Sequence, residues 1–301
     1  MMRPPLSSRR IRSGWTGAMS DAISRFGDSI YQHGHHNDRI YLMKLSTADV
    51  PDIIYFFEDI SQKNRYSKIF VKVPASAGTG FLSRGYQVEA RIPGFYRGLE
   101  DGLFMARYLD DRRGLEGDMN KIRGIIRESV QKAEEYRRRD LSGGYTLQAC
   151  GNDDADEIAD LYGRVFESYP FPIDDPGYIR ETMQDNFRYF SVMKDGEIVA
   201  VASTEMNRQD KNVEMTDFAT DPRHAGLNLA GHLLELMERE MRDDGMKLAF
   251  TICRSLSVPM NITFARAGYR YVGTLLNNTN ICGSFESMNV WFKTIDNGIN
   301  A

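Results

Sequence analysis

Apolar and polar positions form the clearest pattern of the chain in residues 213–241. Residues 213–220 combine β-branched and apolar residues with two acids, Glu214 and Asp217, and this composition predicts a strand. Pro222 ends the strand because proline has no N–H to donate to a neighbouring strand. Beyond it, apolar residues recur at three- and four-residue spacing, with charged residues on the other face. The segment therefore predicts a strand, a turn and an amphipathic helix.

The turn between this strand and this helix contains Gly226. The first N–H groups of a helix have no acceptor inside the helix, and the helix dipole adds partial positive charge there. A strand, a small-residue turn and a helix can therefore bind a pyrophosphate through backbone N–H groups. The alternative is an ordinary connection between a strand and a helix, which a single glycine does not exclude.

The same patterns extend along the chain and predict alternating strands and helices. Strands are predicted at residues 39–45, 68–73, 87–92, 102–108, 145–150, 190–193, 198–205, 213–220, 247–254 and 271–276, with a loop around Pro93 and Gly94. Helices are predicted at residues 48–62, with Ser46 or Thr47 as its cap, 75–84, 115–136, after Asn152, from Pro176 to residue 183, after Gly226 and at 260–267.

One order of elements occurs twice, namely strand, short helix, Gly-Tyr, strand and strand. We therefore interpret residues 30–112 as a degenerate half of the fold formed by residues 143–301, with residues 113–142 as a connecting helix. The first half has no phosphate-binding turn, so we expect it to be structural or dimerising. Residues 1–29 are expected to be a disordered basic tail, and Met19 is an alternative start.

Composition and charge exclude several classes of function. The chain has 301 residues, room for about two domains, and its net charge of −4 gives no sign of nucleic-acid binding. No apolar stretch approaches the roughly 18 to 20 residues of a membrane helix. The three cysteines are widely spaced, and HGHH at 33–36 has no acidic or cysteine partner at a ligand spacing. We predict a cytoplasmic protein without metal, membrane or nucleic-acid partners.

The order from residue 213 onwards resembles the GNAT superfamily of acetyl-CoA-dependent N-acetyltransferases. The resemblance implies an α/β fold, a mixed twisted sheet with flanking helices, preceded here by a smaller degenerate GNAT-like α/β domain. It also implies acetyl-CoA as co-substrate and strands that splay apart to open a cleft. The superfamily's pyrophosphate turn, Arg/Gln-x-x-Gly-x-Gly/Ala, would fall on Ala225, Gly226, Leu227, Asn228, Leu229 and Ala230. Ala225 and Asn228 depart from that pattern.

Four further blocks resemble one branch of the superfamily, the β-lysine N-acetyltransferase family. They are residues 39–45, 167–173, 214–220 and 277–293. The resemblance implies acetylation of the side-chain (ε) amine of β-lysine to make a compatible solute for osmoadaptation. It also implies functional coupling to a lysine 2,3-aminomutase. The alternatives are another small amine, such as lysine or a polyamine, and a non-catalytic acyl-CoA sensor. A homodimer is compatible with the sequence.

The catalytic roles follow from the chemistry and from the resemblance together. A lysine-type ammonium has a pKa of about 10.4 and must lose a proton before it can attack a thioester. The resemblance makes Glu214 the candidate base, and the alternative for it is a salt bridge. Asp217 has the opposite parity unless a bulge intervenes, and it would either receive an ammonium group or hold a neighbouring loop. Phe218, Ala219 and Thr220 would contact the thioester, with a backbone N–H as oxyanion donor.

The resemblance also implies an acid and a substrate pocket. Phe264 stands where the superfamily often has the acidic Tyr, so the thiolate would leave unassisted or take a proton from Ser255, Ser257 or a water. Asn261 would bind the pantetheine arm or cap a helix. Arg254 would bind the substrate carboxylate through a two-point bond, or form a surface ion pair. The remaining candidates for the acceptor side are Tyr169, Phe171, Asn277, Asn278, Asn280, Glu286 and Asn289.

Overall fold

A mixed sheet of 13 strands organises the part of the chain that the structure describes. The structure is a computed structural model, and the residues it describes are 21–137, 140–167, 169–281 and 283–296. The strands are β1 (Ala22–Phe26), β2 (Ser29–Gly34), β3 (Arg39–Lys44), β4 (Lys68–Pro74), β5 (Gln87–Tyr96), β6 (Glu100–Tyr108), β7 (Tyr145–Ala149), β8 (Phe187–Lys194), β9 (Glu197–Asn207), β10 (Asn212–Thr220), β11 (Leu248–Arg254), β12 (Arg270–Ile281) and β13 (Ser284–Thr294). The helices are α1 (Asp52–Asn64), α2 (Ala75–Leu82), α3 (Met119–Glu134), α4 (Ala155–Val165), α5 (Pro176–Gln184), α6 (Leu229–Asp243) and α7 (Val258–Arg266).

The strand order across the sheet is β1-β2-β3-β4-β6-β5-β12-β13-β11-β10-β9-β8-β7. The first six strands form one half of the sheet, and the last seven form the other half. This confirms the predicted α/β class with a mixed sheet and a smaller N-terminal region of similar kind. In the described part of the chain, no helix has the length and apolar character needed to cross a membrane.

The N-terminal boundary of the fold differs from the prediction. Residues 22–29, expected to belong to a disordered tail, form β1 and the start of β2, which pair from Ala22–His33 to Phe26–Ser29. The buried Asp21 carboxylate accepts hydrogen bonds from the N–H and the Nδ2 of Asn37, at 3.2 and 2.7 Å. Polar side chains hold this edge together, so it has little hydrophobic periodicity. Residues 1–20 lie outside the described residues.

Two local predictions in the N-terminal half were also wrong. Helix α1 begins at Asp52 rather than at residue 48, and Ser46 makes no side-chain cap. The Asp49 carboxylate instead accepts hydrogen bonds from the N–H and hydroxyl of Ser29, at 2.9 and 2.7 Å. Asp49 therefore stabilises the turn between β1 and β2. The predicted loop at Gly94 lies inside β5, as an irregularity in its pairing with β6.

Alternation along the strands separates the two faces of the sheet. Val213 and Met215 of β10 pack with α6 on one face. Ala219, beyond an irregularity in the same strand, packs with α4 on the other face. In the N-terminal half, Val71 and Val73 of β4 pack with α1 and α2. On the opposite face of β4, Phe70 packs against strand residues of the C-terminal half.

A further hydrophobic core joins the N-terminal and C-terminal halves. Phe70, Phe95 and Phe104 from the N-terminal half form a buried cluster with Phe250 and Phe292 from the C-terminal half. The rings of Phe95 and Phe250 lie edge to face, with centroids 5.1 Å apart. The sheet is therefore curled, and its N-terminal half covers a face of β11 and β13. This places residues of β3 and β4 next to β10, although several strands separate them in the sheet.

The two halves meet at β5 and β12 through a short contact. Their one register pair among the described residues is Gly273–Ala90, where a side chain on Gly273 would collide with the backbone of β5. Beyond it, side chains replace the missing strand partner of β12. The Lys68 ammonium donates to the carbonyl of Leu276 at 2.7 Å, and the N–H of Leu276 donates to the Glu89 carboxylate at 2.7 Å. Lys68 and Glu89 are themselves paired at 3.1 Å.

Candidate active site

Strands β10 and β11 run parallel and then separate. Their register pairs end at Glu214–Phe250, although β10 continues to Thr220 and β11 to Arg254, and the described residues include no later pair between them. Beyond that point β11 remains paired with β13 on its other side. A cleft therefore opens between two diverging strands, as the resemblance implied.

A bulge in β10 brings Asp217 to the same face as Glu214. The register with β9 passes from Thr216–Ser203 to Ala219–Val201, so two residues of β10 stand opposite one residue of β9. Asp217 has a φ of 54°, in the left-handed region that a non-glycine residue rarely adopts. Its carboxylate accepts hydrogen bonds from the hydroxyls of Ser203 and Thr216. The bulge meets the condition that the sequence set for Asp217 to face the cleft.

Asp217 also holds the loop between α4 and α5. The Tyr169 hydroxyl donates to its carboxylate, and both Tyr169 and Phe171 pack on the cluster beneath α4. Burial raises the pKa of Asp217, and the hydroxyls of Ser203, Tyr169 and Thr216 offset part of that rise. The contact is the one expected if Asp217 fixes a neighbouring loop. A role for Asp217 in receiving an ammonium group stays a prediction.

The turn before α6 presents a row of backbone N–H groups. Among the described residues, no carbonyl or side chain accepts a hydrogen bond from the N–H groups of residues 226–230. The first hydrogen bonds of this helix are donated by Gly231 and His232 to the carbonyl of Asn228. Gly226 has a φ of 82°, and a side chain added there would meet only open space. The positive end of a 15-residue helix thus faces an open region, which is suited to an anion.

The two departures from the superfamily's turn are compatible with this geometry. Asn228 takes the left-handed conformation, with φ 57° and ψ 30°, which asparagine tolerates better than most residues. Its Nδ2 donates to the Tyr136 hydroxyl at 3.2 Å, and the Arg266 guanidinium lies 5.0 Å from the Tyr136 ring centroid. Ala225 is extended and continues into the turn. Tyr136, just beyond α3, therefore supports the turn although it lies outside residues 143–301.

Two carboxylates stand directly opposite each other on the cleft face of β9 and β10. Glu205 and Glu214 are register partners, an arrangement that is repulsive when both are ionised. Burial raises the pKa of Glu214 to about 8, helped by the charges of Glu205 and Asp217 and opposed by Lys72. Burial likewise raises the pKa of Glu205. The described residues include no group of three or more His, Cys, Asp or Glu side chains arranged for a metal ion.

A lysine from the N-terminal half faces this pair of carboxylates. The Lys72 ammonium lies 5.1 Å from the Tyr41 ring centroid and 5.8 Å from that of Phe250, the register partner of Glu214. Burial lowers the pKa of Lys72, but Tyr41, Glu214 and Glu205 outweigh this effect and raise it above its usual value. Lys72 therefore carries a positive charge into a cleft that is otherwise acidic.

A buried asparagine organises the turn from β11 into α7. The Asn261 Nδ2 donates to the carbonyls of Arg254 and Ser257 at 3.1 and 2.8 Å. Its Oδ1 accepts from Asn289 at 2.8 Å and from Trp291 at 3.0 Å. Asn261 thus fixes the turn before α7 from inside the helix, and it is not the helix cap given as the alternative, because Ser257 occupies the N-cap position. Direct contacts of Asn261 with a pantetheine arm and of Asn289 with substrate stay predictions, and both side chains are fully buried.

The candidate acid position offers no proton donor. Phe264 is fully buried, and its ring packs edge to face on Phe218 of β10, with centroids 5.6 Å apart. Ser255 is buried, and its N–H donates to the carbonyl of Ser287. Ser257 precedes α7 and is half-buried. The departure of the thiolate therefore stays a prediction, either unassisted or with a proton from Ser255, Ser257 or a water.

Arg254 makes the predicted two-point bond, but its partner is Glu286. The distances from Nε and an Nη to the two carboxylate oxygens are 2.6 and 2.5 Å, and the Arg254 side chain is 51% exposed. This is the surface ion pair that the sequence left as the alternative. Its charge is offset before any substrate arrives, so a role for Arg254 in carboxylate binding stays a prediction that the geometry does not favour.

The asparagines of β12 contact the N-terminal half and the connecting segment that follows it. Asn277 Nδ2 donates to the carbonyl of Leu115 at 2.9 Å, and Asn280 Nδ2 donates to that of His36 at 2.8 Å. The carbonyl of the buried Asn278 accepts from Arg39. These residues join the two halves of the chain, and substrate contacts by Asn278 and Asn280 stay predictions.

Three residues of the cleft were missed from the sequence, namely Tyr41, Lys72 and Glu205. Glu205 could have been found, because a hairpin of the predicted strands 198–205 and 213–220 places it opposite Glu214. Lys72 interrupts the apolar run of residues 69–73 in β4, and a charge in such a run is costly unless it has a partner. The direction in which that strand faces depends on the curl of the sheet, which no local pattern indicates.

The splayed strands, the bulge and the open turn before α6 are typical of an acetyltransferase of the GNAT class. Residues 155–269 match the model of the acetyltransferase (GNAT) family. Acetyltransferases of this class use acetyl-CoA and act on an amine. Among solved structures, the ribosomal-protein-S18-alanine N-acetyltransferase from Escherichia coli aligns with 52% of this chain and 98% of its own, with 16% identity and a TM-score of 0.46.

Two curated relatives match far more of the chain. A β-lysine N(6)-acetyltransferase from Methanococcus maripaludis is 38% identical over 273 residues, which cover 91% of this chain and 98% of that protein. A β-lysine N(6)-acetyltransferase from Methanosarcina mazei is 33% identical over 210 residues, which cover 70% of this chain and 77% of that protein. The chain belongs to the β-lysine N-acetyltransferase family of GNAT enzymes.

Proposed function

We propose that this chain transfers the acetyl group of acetyl-CoA to the ε-amine of β-lysine, giving N-ε-acetyl-β-lysine as a compatible solute. The observation that carries this proposal is the 38% identity, across 91% of the chain, to a protein named β-lysine N(6)-acetyltransferase. The charge balance of the cleft supports it. The cleft contains three carboxylates, from Glu205, Glu214 and Asp217, and one lysine, Lys72, which suits a substrate with two amino groups. A lysine 2,3-aminomutase would supply that substrate.

The turn before α6 is the proposed site for the diphosphate of acetyl-CoA. Five consecutive N–H groups, at residues 226–230, are available to phosphate oxygens, and the helix dipole adds to their attraction. The edge of β10 at Phe218, Ala219 and Thr220 would then run beside the pantetheine arm and the thioester. The separation of β10 from β11 leaves space for that arm, because no ladder hydrogen bond closes the cleft there.

Glu214 is the proposed general base. Its raised pKa, about 8, makes it a stronger proton acceptor than an ordinary glutamate and places it near the working pH. A substrate ammonium beside it would favour its ionised form, since an opposite charge within about 4 to 6 Å lowers a carboxyl pKa. Proton transfer to Glu214 would leave the ε-amine neutral and nucleophilic. Glu205 and Asp217 would hold the remaining positive charge of the substrate.

The other steps use the backbone of the bulge and the loop above it. Bound acetyl-CoA supplies a thioester, whose thiol pKa of about 8.5 makes the thiolate a fair leaving group. A backbone N–H near Phe218 or Ala219 would donate to the oxygen on which negative charge develops. Phe264 cannot supply a proton, so Ser257 or a water would do so. Tyr169, held by Asp217, would cover the acceptor amine.

The organisation of the chain follows from the same proposal. Residues 143–301 would form the catalytic domain, residues 113–142 the connecting helix, and residues 22–112, with the corrected boundary, an N-terminal half-domain that also supplies side chains to the cleft. The short pairing of β5 with β12 supports this division, because few ladder hydrogen bonds cross it. A homodimer is a further expectation, and the molar mass of the purified protein in solution would test it.

The test is a rate measurement with purified protein, acetyl-CoA and a panel of amines. Release of free CoA is followed with β-lysine, lysine and 1,5-diaminopentane, and the position of the new amide is identified by NMR. We expect β-lysine to give the highest kcat/KM and acetylation at the ε-nitrogen. Equal rates across the panel would remove the substrate assignment and leave the reaction class. No release with any amine would overturn the proposal as a whole.

A further inference from the structure

Lys72 occupies an unusual place for a lysine. It lies in β4 of the N-terminal half, between two residues, Val71 and Val73, whose side chains are fully buried under α1 and α2. Its own side chain points to the opposite face, where the N-terminal half covers the C-terminal half. It is directed toward the cleft face of β10, and it retains some accessible surface. A structural lysine would be expected either to reach bulk solvent or to be neutralised by a close partner.

Among the described residues, Lys72 has no carboxylate as a close partner, and the polar group beside its ammonium is the Tyr41 hydroxyl. In the part of the chain that the structure describes, no carboxylate oxygen lies within 4 Å of the Lys72 ammonium group, although Glu205 and Glu214 both raise the pKa of Lys72. Lys68 lies four residues earlier in β4 and is also buried. It differs from Lys72 because its ammonium is paired with the Glu89 carboxylate at 3.1 Å. The groups that face Lys72 are Tyr41, Glu205, Glu214 and Phe250. A gap of more than 4 Å therefore separates the Lys72 nitrogen from the carboxylate oxygens of Glu205 and Glu214.

The other cation considered for the acceptor side is already occupied. Arg254 forms a two-point bond with Glu286, at 2.6 and 2.5 Å, near the end of β11. A substrate carboxylate would have to displace Glu286 to reach it. At Lys72 no such displacement is needed, and an anion bound there would separate the lysine from Glu205 and Glu214 without breaking an ion pair.

We propose that Lys72 is the specificity residue that binds the substrate carboxylate, so that the N-terminal half-domain selects amino acids over simple diamines. This rests on the proposed function. In the complex, the carboxylate would lie against Lys72 and Tyr41, while the two nitrogens would lie against the carboxylates of β9 and β10. Each charge of a diamino acid would then face an opposite charge. A diamine without a carboxylate would leave Lys72 without a counterion in the gap.

The alternative role for Lys72 is to tune Glu214 through its charge alone. The two roles differ in what they do to different substrates. A tuning residue changes the reactivity of Glu214 toward every amine to the same extent. A carboxylate-binding residue changes only the reaction of substrates that carry a carboxylate. A diamine such as 1,5-diaminopentane is therefore an internal control within each variant.

The experiment compares kcat/KM for β-lysine and for 1,5-diaminopentane in the wild type, Lys72→Met and Arg254→Met. For Lys72→Met we expect the preference for β-lysine to fall about 10- to 150-fold, the range for a lost hydrogen bond between charged groups. Arg254→Met should keep the preference within about threefold, because its charge is already paired with Glu286. Lys72→Arg retains the positive charge and should retain most of the preference.

A second measurement uses the wild-type chain and needs no variant to fold. The amide of β-lysine, in which the carboxylate is neutral, should react more slowly than β-lysine by a factor similar to that for Lys72→Met. In Lys72→Met the acid and its amide should react at nearly equal rates. A wild type that treats acid and amide alike would overturn the proposal, as would equal losses for β-lysine and the diamine in Lys72→Met. A wild type that acetylates no β-lysine would instead refute the proposed function.

Discussion

Replacing Gly226 by alanine tests the anion-binding turn, and the same helix provides a matched control. Gly226 precedes α6 and Gly245 follows it, with φ angles of 82° and 80°. At both positions an added Cβ would meet no heavy atom within 4 Å. The strain of placing alanine in the left-handed region, on the order of 1–2 kcal/mol, is therefore expected to be similar at the two ends. The two variants differ only in which end of the helix they change.

The loss of affinity should differ sharply between the two ends. At Gly226 the methyl group stands in the open space where backbone N–H groups would have to approach phosphate oxygens to about 2.9 Å. Losing one hydrogen bond to a charged group costs about 1.5–3 kcal/mol, which corresponds to a roughly 10- to 150-fold weaker Kd for acetyl-CoA. Gly245→Ala should leave that Kd within about twofold. Both variants should lower Tm by a similar few degrees.

Titration calorimetry with acetyl-CoA at fixed ionic strength measures the difference, since salt screens phosphate binding. S-acetylpantetheine, which lacks the diphosphate, is a second probe, and its KM should be the same in Gly226→Ala and Gly245→Ala. Equal Kd values for acetyl-CoA in the two variants would refute the argument. A weaker KM for S-acetylpantetheine in Gly226→Ala alone would show that the turn acts on another part of the carrier.

Three further predictions follow from buried charges. Glu214→Gln should lower kcat about 10²- to 10⁴-fold, as expected on removal of a general base, with calorimetric affinity for acetyl-CoA unchanged; retained turnover would exclude Glu214 as the base. The same variant should affect stability with a definite sign. The pKa of Glu214 rises from 4.5 to about 8 on folding. Its contribution to the free energy of unfolding is therefore complete below pH 4.5 and is lost as the pH rises through 8. The Tm of Glu214→Gln relative to wild type should therefore increase between pH 5 and pH 9, and a constant difference would contradict this. Lys68→Met should cost about 3–5 kcal/mol in urea unfolding because it leaves the buried Glu89 carboxylate without an opposite charge, and Lys68→Met combined with Glu89→Gln should recover part of that loss.

Local patterns were sufficient for much of the C-terminal half. The apolar stripe of α6 and the strand before it could be predicted, because short-range alternation reflects which face each residue buries. The parity of Asp217 was informative even where the alternation failed, since an acid on the wrong face of a strand indicates a bulge. The turn residues around Gly226 follow from the backbone angles that glycine and asparagine tolerate.

Long-range geometry accounts for what the sequence could not predict. Strand β1 and the start of β2 are stabilised by hydrogen bonds that the carboxylates of Asp21 and Asp49 accept, and such bonds leave no apolar period in the sequence. Asn278 and Asn280 looked like candidates for the acceptor side, but they contact the N-terminal half, whose position depends on the curl of the whole sheet. Lys72 belongs to the same category, because Phe250, Glu214 and Glu205 lie on strands that are five, six and seven places away from β4 in the order of the sheet.

The curl of the sheet also explains why a second half-domain would be useful to this reaction. Two unit charges 4 Å apart attract each other by about 1 kcal/mol in water and about 4 kcal/mol at the effective dielectric constant near 20 that is typical of protein sites. On an open face of β10, Glu205 and Glu214 would therefore discriminate poorly between small cations. The aromatic cluster of Phe70, Phe95 and Phe250 excludes water from that face, and the same exclusion raises the pKa of Glu214. Covering the face strengthens the attraction for an ammonium group and the proton affinity of the base together, and both changes favour a substrate that arrives with two positive charges.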